Sequence, residues 1–362
     1  MMHRFLTIYV NCLSAHSAPL RRFAAILAVG CVVTAAKPVS AQDAVIFGTV
    51  TDTETGEPLP GANVFLDQTT TGASTNDDGH FEVGPVAPGS YRVVVSMVGY
   101  TPLTRAVVIV PEQARYRADF EMEPDVIDLG GIDVEAERPR GWEDDLEHFK
   151  EFFIGTSDNA RQTEILNPYV LDFTTEDGIF KARASSPLII ENGALGYRIT
   201  VVIAYFWEVA NTMYLAGPMH FEAMQPRDEE EAELWRTHRR DAYEGSYMHF
   251  LQSLIAGTLR EDGFFAAHDI ILGRNRERVE VGAFPIVRAT ERRYLYELSF
   301  DHSLYVEYGR QESRIRMARP RAIVHASGYI YGLTYEPPPP LVVSGAMSER
   351  RIADMVPRDY SY

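Results

Sequence analysis

The sequence has almost no cysteine. Only two cysteines occur among 362 residues, Cys12 and Cys31, and both precede the position at which we expect a signal sequence to end. A mature chain without thiols has no disulfide, no thiol nucleophile and no cysteine-ligated zinc. The absence therefore excludes three common classes of stabilising or catalytic site.

The sequence also lacks a long hydrophobic run. Its most apolar stretch, FAAILAVGCVVTAA, is too short to span a bilayer. It follows a pair of arginines and precedes Val39-Ser40-Ala41, an order that is typical of a secretory signal. We predict a signal peptide over residues 1–41, an exported mature chain beginning at Gln42, and no transmembrane span in that chain. The alternative is a lipoprotein acylated at the cysteine of Ala28-Val29-Gly30-Cys31, which is a poor lipobox.

Positive charge is scarce as well. The formal net charge is −17, and the signal carries four cationic residues and no acidic one, so the mature value is about −21. Binding to nucleic acid depends on a basic surface that releases counterions from the phosphates. Nucleic acid is therefore excluded as the expected partner.

After the signal, the sequence consists of short apolar segments such as AVIFGTV, YRVVVSMV and ADFEM. Turn segments rich in Gly, Pro and Asp separate them, which is typical of a β-sandwich. Alternation places Tyr91 and Val93 on one face of a strand and Arg92 and Ser96 on the other. We predict a β-sandwich domain over residues 42–124.

Within this segment, residues 52–66 read DTETGEPLPGANVFL. Pro58 and Pro60 have no backbone donor for a sheet, so they belong to a connection between strands. This stretch and the following TGASTNDDGHFEVGPVAPGSYRVVVSMVGY resemble the carboxypeptidase regulatory-like domain, a transthyretin-like sandwich common in bacterial envelope proteins. The resemblance implies that the elbow is a fold-defining turn and not a ligand site. The residues that fall in the family's order are Asp52, Gly56, Pro60-Gly61-Ala62, Gly72, Asp78, Gly79, Phe81, Pro88-Gly89, Tyr91 and Gly99-Tyr100.

Residues 125–141 are predicted to form a linker. In similar chains this position often leads into the plug of a TonB-dependent outer-membrane receptor. The roughly 220 residues that follow are too few for the membrane-embedded part of such a receptor. We predict instead a β-rich α+β domain over residues 142–362.

Three helices are expected in this second part, and one of them is a short helix after Thr156-Ser157. Helical spacing of Trp142, Leu146, Phe149 and Phe153 predicts an amphipathic helix, which Gly155 can end. Pro226 and four acidic residues that follow it predict the start of one long helix over residues 228–260. Strand patterns dominate between these helices, with a turn at Asp177-Gly178, and again from residue 267 onward.

The second part has a resemblance of its own, spanning roughly residues 145–265. FFIGTSDNARQTEILNP, SSPLIIENGALGYRI and WRTHRRDAYEGSYMHFLQSLIAGTLREDGF resemble a family of uncharacterised bacterial proteins named for their regulatory-like domain. The resemblance supports the order of the domains. It implies no established activity.

Because the regulatory-like domain is named after zinc carboxypeptidases, a zinc site is the first enzyme hypothesis. His148-Phe149-Lys150-Glu151, with His249 or His268 downstream, matches the His-x-x-Glu spacing of those enzymes. With ten histidines, about one such match is expected by chance. Phe149 is already explained by the apolar face of a helix, so we predict no metal and no cofactor.

A second enzyme hypothesis concerns the long helix. Ser246 and His249 stand three residues apart, where a nucleophile and a base can meet, and Arg239 lies nearby. The sequence contains no Gly-x-Ser-x-Gly, the motif with which many hydrolases expose their serine. Anchoring of the helix on a sheet by its aromatic residues is the simpler interpretation.

The predicted fold class is mainly β, with an N-terminal transthyretin-like β-sandwich followed by a β-rich α+β domain containing one long helix. The predicted function is that of a non-catalytic exported protein. It would bind or scaffold a protein or glycan partner in the periplasm or at the periplasmic face of the outer membrane. The alternative is an envelope hydrolase that uses Ser246, His249 and Arg239.

Overall fold

A computed structural model of the chain describes residues 43–125, 139–210, 212–272, 275–283, 286–331 and 339–361. The predicted signal peptide, its cleavage point, Cys31 and most of the predicted linker lie outside these residues. The described part is mainly β, which confirms the predicted fold class. Its strands form six sheets that enclose three hydrophobic clusters.

The amino-terminal part is a sandwich of two four-stranded sheets. One sheet has the order β4-β1-β7, with β8 also paired to β1, and the other has the order β3-β2-β5-β6. Side chains that alternate along β1 and β5, among them Ile46, Val50, Val93 and Val95, meet in the core between the sheets. The strands are β1 Ala44–Asp52, β2 Asn63–Leu66, β3 Gly72–Ser74, β4 His80–Val86, β5 Gly89–Ser96, β6 Leu103–Ile109, β7 Arg115–Arg117 and β8 Phe120–Met122.

The Pro-rich elbow connects β1 to β2, the position that the prolines require. At its start the carboxylate of Asp52 accepts hydrogen bonds from the backbone amides of Glu54 and Thr55, each at 2.8 Å, and from the Tyr100 hydroxyl at 2.8 Å. The amide of Thr55 and then the hydroxyl of Tyr100 lower the pKa of Asp52. At its end Gly61 has φ +77°, a left-handed conformation that favours glycine.

The second part begins with helix α1, Trp142–Phe153. Its buried residues are the four that helical spacing predicted, and Gly155 follows it with φ +101°. The helix packs against two four-stranded sheets, ordered β10-β11-β14-β15 and β16-β13-β12-β9. Their strands are β9 Thr163–Ile165, β10 Leu171–Glu176, β11 Ile179–Ala184, β12 Leu188–Asn192, β13 Tyr197–Val201, β14 Tyr205–Val209, β15 Thr212–Ala216 and β16 Met219–Ala223.

The prediction of one long helix over residues 228–260 is wrong. The structure has two helices, α2 (Glu229–Tyr243) and α3 (Tyr247–Ala256). The break occurs because Gly245 adopts φ +71°, and Ser246 then starts α3 as an N-cap. Asp228 caps α2, so the predicted acidic start is confirmed.

The remaining strands form a five-stranded sheet, β18-β17-β21-β22-β25, and a four-stranded sheet, β19-β20-β23-β24. Helix α3 and a short helix, α4 (Ala346–Glu349), pack with them around the third hydrophobic cluster. The strands are β17 Phe264–Leu272, β18 Asn275–Glu280, β19 Val287–Ala289, β20 Leu295–Leu298, β21 Ser303–Tyr308, β22 Gln311–Met317, β23 Ala322–His325, β24 Tyr329–Ile330 and β25 Leu341–Gly345.

Residues 350–361, which we call the carboxy-terminal clasp, contact helix α2, strand β12 and the sandwich. The guanidinium of Arg350 donates to the carbonyl oxygens of Ala242 and Glu244 at the end of α2. Further along, the amide of Asn192 donates to the Ala353 carbonyl oxygen at 3.0 Å. The backbone amide and the hydroxyl of Thr70, in the sandwich, donate to Asp359. The clasp thereby joins the sandwich to the rest of the described chain.

In the part of the chain that the structure describes, every helix is too short or too polar to cross a membrane.

Candidate binding site

A buried polar network lies where the sandwich meets the second part, and Asp67 is at its centre. The Asp67 carboxylate pairs with Arg92, accepts from the Tyr329 hydroxyl at 3.0 Å and accepts from the Met219 backbone amide at 2.9 Å. Asp67 is 1% exposed and Arg92 8%. A charge removed from water to this extent is tolerated only with such partners.

The clasp contributes a second cation to the same network. Nη2 of Arg358 donates to the Ser90 carbonyl oxygen at 3.1 Å, and the guanidinium lies over the Tyr91 ring. The same nitrogen is 3.2 Å from Nδ1 of His325. Burial and then the charge of Arg358 lower the pKa of His325 to about 3, so this imidazole is neutral at physiological pH.

A cavity of about 320 Å³ opens beside this network. The sandwich, helices α2 to α4, strands β24 and β25 and the clasp all contribute to its wall. Its lining is mostly apolar and contains three methionines. The lining residues are Gln68, Ala242, Ser246, Tyr247, Met248, Gly328, Tyr329, Ile330, Val343, Met347, Arg350, Asp354, Met355 and Val356.

Ser246, the candidate nucleophile, belongs to this lining, but its hydroxyl serves the helix. Its Oγ accepts a hydrogen bond from the backbone amide of His249 at 3.1 Å. The spacing of three residues, which also suits a nucleophile and its base, is here the spacing of an N-cap and its N3 amide. Sequence alone does not separate these two meanings.

His249, the candidate base, does not line the cavity. Its ring packs among Tyr243, Phe264 and Tyr308, and its Nδ1 accepts from the backbone amide of Gly245 at 3.1 Å. Burial lowers the pKa of His249. Within the described residues, the structure therefore does not bring the His249 ring and the Ser246 hydroxyl together as a base and a nucleophile.

Arg239, the third candidate, lies on α2 and its side chain donates hydrogen bonds to backbone carbonyl oxygens. Its Nε and Nη2 donate to the carbonyl oxygens of Leu195 and Gly196 at 2.6 and 3.0 Å, and its guanidinium stacks 4.1 Å from the centre of the Tyr197 ring. It lines a different cavity, of about 580 Å³, from the one that contains Ser246. The three candidates thus do not converge on one reacting position.

The residues of the zinc hypothesis are also dispersed. Nε2 of His148 lies 3.3 Å from a carboxylate oxygen of Glu208, and its ring packs on Phe180. His249 lies on α3, and His268 lies on β17. Among the residues described, no group of three His, Cys, Asp or Glu side chains is arranged to hold a metal ion.

Sequence reasoning missed the buried network and the apolar cavity. One signal was present, because the alternation of β5 placed Arg92 and Ser96 together on the face away from the sandwich core. Both are buried, at 8% and 1% exposure, because the second part covers that face. In most sandwiches, polar side chains on the outer face of a strand indicate a solvated surface. The contact between β5 and the second part was therefore not expected.

Comparison with known proteins assigns the sandwich. Residues 45–123 match the model of the carboxypeptidase regulatory-like domain, so this part of the chain is such a domain, as its residues indicated. Over 62 residues the chain is 47% identical to the TonB-dependent receptor SusC of Bacteroides thetaiotaomicron. That match covers 17% of this chain and 6% of the receptor, so the chain spans only a small part of the length of this relative.

Similar solved structures include a mutant type II cohesin–X–dockerin complex from Acetivibrio cellulolyticus. The match has 26% sequence identity, covers 33% of this chain and 79% of the chain in that structure, and has a TM-score of 0.20. The match to a DUF3823 family protein from Bacteroides uniformis has 13% sequence identity, covers 78% of this chain and 90% of the chain in that structure, and has a TM-score of 0.17. Likenesses at these TM-scores carry no argument about function.

Proposed function

We propose that this protein is a non-catalytic, exported component of the cell envelope that binds or scaffolds a protein or glycan partner through its carboxypeptidase regulatory-like domain. The domain itself, at residues 45–123, is the observation that carries the proposal. The secretory signal pattern of residues 1–41 supports export. The periplasm, or the periplasmic face of the outer membrane, is the compartment that follows from both.

The open face of the sandwich is the proposed contact surface. The sheet β3-β2-β5-β6 is covered by the second part of the chain over β2 and β5, where Arg92 lies against the Tyr329 ring. The other sheet has an exposed outer face, where Arg115 pairs with Glu82 and its guanidinium lies 4.4 Å from the centre of the Phe47 ring. Arg117 is also exposed there. Arg115 and Arg117 are each paired with a carboxylate, of Glu82 and Asp119 respectively, and Arg115 lies beside the Phe47 ring. Arginine and aromatic side chains are enriched at protein interfaces, which favours this face as the contact surface.

The test is crosslinking of the full chain in envelope fractions, followed by identification of what is captured. Arg117→Glu should reduce capture of the specific partner at least ten-fold. Arg183→Glu is the matched control, since it makes the same charge change at an exposed position of β11. Loss of the partner in the control but not in Arg117→Glu would locate binding in the second part and overturn the assignment to the sandwich.

Export has its own measurement. Mass spectrometry of the purified chain should find an amino terminus at Gln42. An acylated Cys31 would establish the lipoprotein alternative instead. An intact residue 1 would show that the signal is not processed and would contradict the envelope assignment.

The hydrolase alternative is favoured by one observation, namely that Ser246 lines a cavity. It is tested with purified chain and a simple ester such as p-nitrophenyl acetate. Ser246→Asn keeps an N-cap but removes the hydroxyl, and we expect it to leave any background hydrolysis unchanged. A hundred-fold loss of turnover in both Ser246→Asn and His249→Ala would establish catalysis.

A further inference from the structure

We propose that the 320 Å³ cavity between the sandwich, helix α3 and the clasp is a binding site for a small amphipathic molecule with an apolar body and an uncharged polar end. This inference goes beyond the partner-binding function and does not depend on it. Ligand sites in proteins favour domain junctions and are usually apolar hollows of a few hundred Å³ with a few polar groups. The cavity has this position, size and composition.

The apolar part of the lining suits a flexible ligand. Met248, Met347 and Met355 come from α3, α4 and the clasp, and Ile330, Val343 and Val356 lie among them. Methionine is unbranched and polarisable, so a wall of methionines adapts to chains of different shape. An alkyl chain or a compact hydrocarbon therefore fits better than a rigid polar solute.

The charged residues of the lining are already engaged, which excludes a charged ligand. The guanidinium of Arg350 donates to the carbonyl oxygens of Ala242 and Glu244 at 2.6 and 2.7 Å. The carboxylate of Asp354 accepts from Ser157 and Asn159. With one cation and one anion, both held in place, the wall offers no net charge to compensate a buried ion.

Three polar side chains of the lining are available for the polar end of the ligand, namely Ser246, Gln68 and Tyr247, and the Tyr247 hydroxyl is buried without a hydrogen-bond partner among the described residues. Ser246 Oγ accepts a hydrogen bond from the His249 amide, and its own proton has no acceptor among the described residues. The Gln68 side chain likewise has no hydrogen-bond partner within the described residues. The hydroxyl group of Ser246 and the amide of Gln68 supply both donors and an acceptor.

The backbone of Gln68 is an independent indication of a site. Gln68 is a non-glycine residue with φ +60°. Two backbone hydrogen bonds hold it in this conformation: the Gln68 amide donates to the Met219 carbonyl oxygen, and the Arg358 amide donates to the Gln68 carbonyl oxygen. Left-handed backbone at a non-glycine residue is costly and clusters at ligand sites. Here it presents a sandwich side chain to a cavity that is formed mainly by the second part.

The binding test uses 1-N-phenylnaphthylamine, an uncharged apolar dye that fluoresces in apolar surroundings, with the full mature chain. We expect saturable binding with one site per chain. Val343→Phe, which fills the cavity from β25, should weaken dye binding at least ten-fold. Val342→Phe is the matched control, since the adjacent residue of the same strand is not part of the lining, and it should bind within two-fold of the unmodified chain. Thermal unfolding verifies that each variant is folded, and Ile330→Phe replaces Val343→Phe if the latter is not.

The ligand class is tested by displacement of the dye with 1-decanol and with decanoate at pH 8. We expect decanol to displace the dye at a concentration at least ten-fold lower than decanoate. Gln68→Met, which keeps the length of the side chain and removes its amide, should weaken decanol about five-fold and leave the dye within two-fold. Equal displacement by decanol and decanoate would overturn the uncharged class. Dye binding that is not saturable, or that Val343→Phe leaves unchanged, would overturn the site.

Discussion

Replacing Asp67 by alanine is the most direct test of the junction between the sandwich and the rest of the chain. The substitution removes the carboxylate that Arg92, Tyr329 and the Met219 amide all contact, and it leaves the Arg92 guanidinium buried. Breaking a buried ion pair from one side costs about 3–5 kcal/mol. We therefore expect Asp67→Ala to lower the free energy of unfolding by about 3–5 kcal/mol.

The matched control is Glu82→Ala. Glu82 pairs with Arg115 at 3.2 Å, but its side chain is 60% exposed and that of Arg115 is 55% exposed. An exposed pair contributes about 1 kcal/mol or less. The double variant Asp67→Ala/Arg92→Met should be less destabilised than Asp67→Ala alone, since it also removes the buried guanidinium that loses its carboxylate partner.

The assay is urea unfolding at pH 7, followed by tryptophan fluorescence. All three tryptophans lie outside the sandwich, and they are Trp142, Trp207 and Trp235. Their fluorescence therefore reports whether a substitution in the sandwich also destabilises the second part. A loss for Asp67→Ala as small as that for Glu82→Ala would refute the buried network. So would a tryptophan transition that Asp67→Ala leaves unmoved.

Three further predictions concern stability. Gly61→Val should lower the free energy of unfolding by roughly 1–3 kcal/mol through strain, and Pro60→Ala by about 1 kcal/mol or less; urea unfolding measures both, and equal losses would contradict the turn assignment. Because hydrogen bonds lower the pKa of Asp52 in the folded state, its contribution is present above the unfolded pKa of about 4 and disappears as pH falls through the lower folded value. The stability difference between wild type and Asp52→Asn, measured from pH 7 to pH 2, should therefore shrink on acidification, and a constant difference would contradict this. Gly196→Ala should lose about 1–3 kcal/mol and perturb tryptophan emission, since the added Cβ would lie 2.2 Å from the Trp235 ring at a residue with φ +66°; unchanged emission and stability would show that the ring is not packed there.

Local patterns determined what the sequence could predict. Helix α1 follows from four apolar residues at helical spacing, and the β10–β11 hairpin follows from Asp177-Gly178, both of which adopt positive φ. The sandwich strands follow from alternation and from the turn residues between them. In each case the residues that decide the structure are close together in the chain.

The break between α2 and α3 was missed because the apolar spacing continues through it. Trp235, Tyr243, Phe250 and Leu254 are all buried, and they keep nearly helical spacing across the break. The local signal was Gly245 followed by a capping serine, which ends one helix and starts the next. These two adjacent residues distinguish one continuous helix from two helices here.

The buried network and the cavity could not be predicted from local patterns. Tyr329 contacts Asp67 across a separation of 262 residues, and no periodicity links such positions. Burial of Arg92 depends on the second part, which covers the sheet. The network and the cavity are therefore products of tertiary contact, about which a single sequence carries little information.

The carboxy-terminal clasp has a consequence for the order of folding. Arg358 reaches Ser90 across 268 residues, so a chain that is made or threaded through a membrane from its amino end completes its sandwich long before the clasp arrives. Until the second part and the clasp are in place, the face that carries Asp67 and Arg92 has no cover, and contacts so distant in sequence form late and slowly. The nascent sandwich therefore exposes this face, and we expect a chaperone that shields exposed sheet surfaces to bind the chain in that interval.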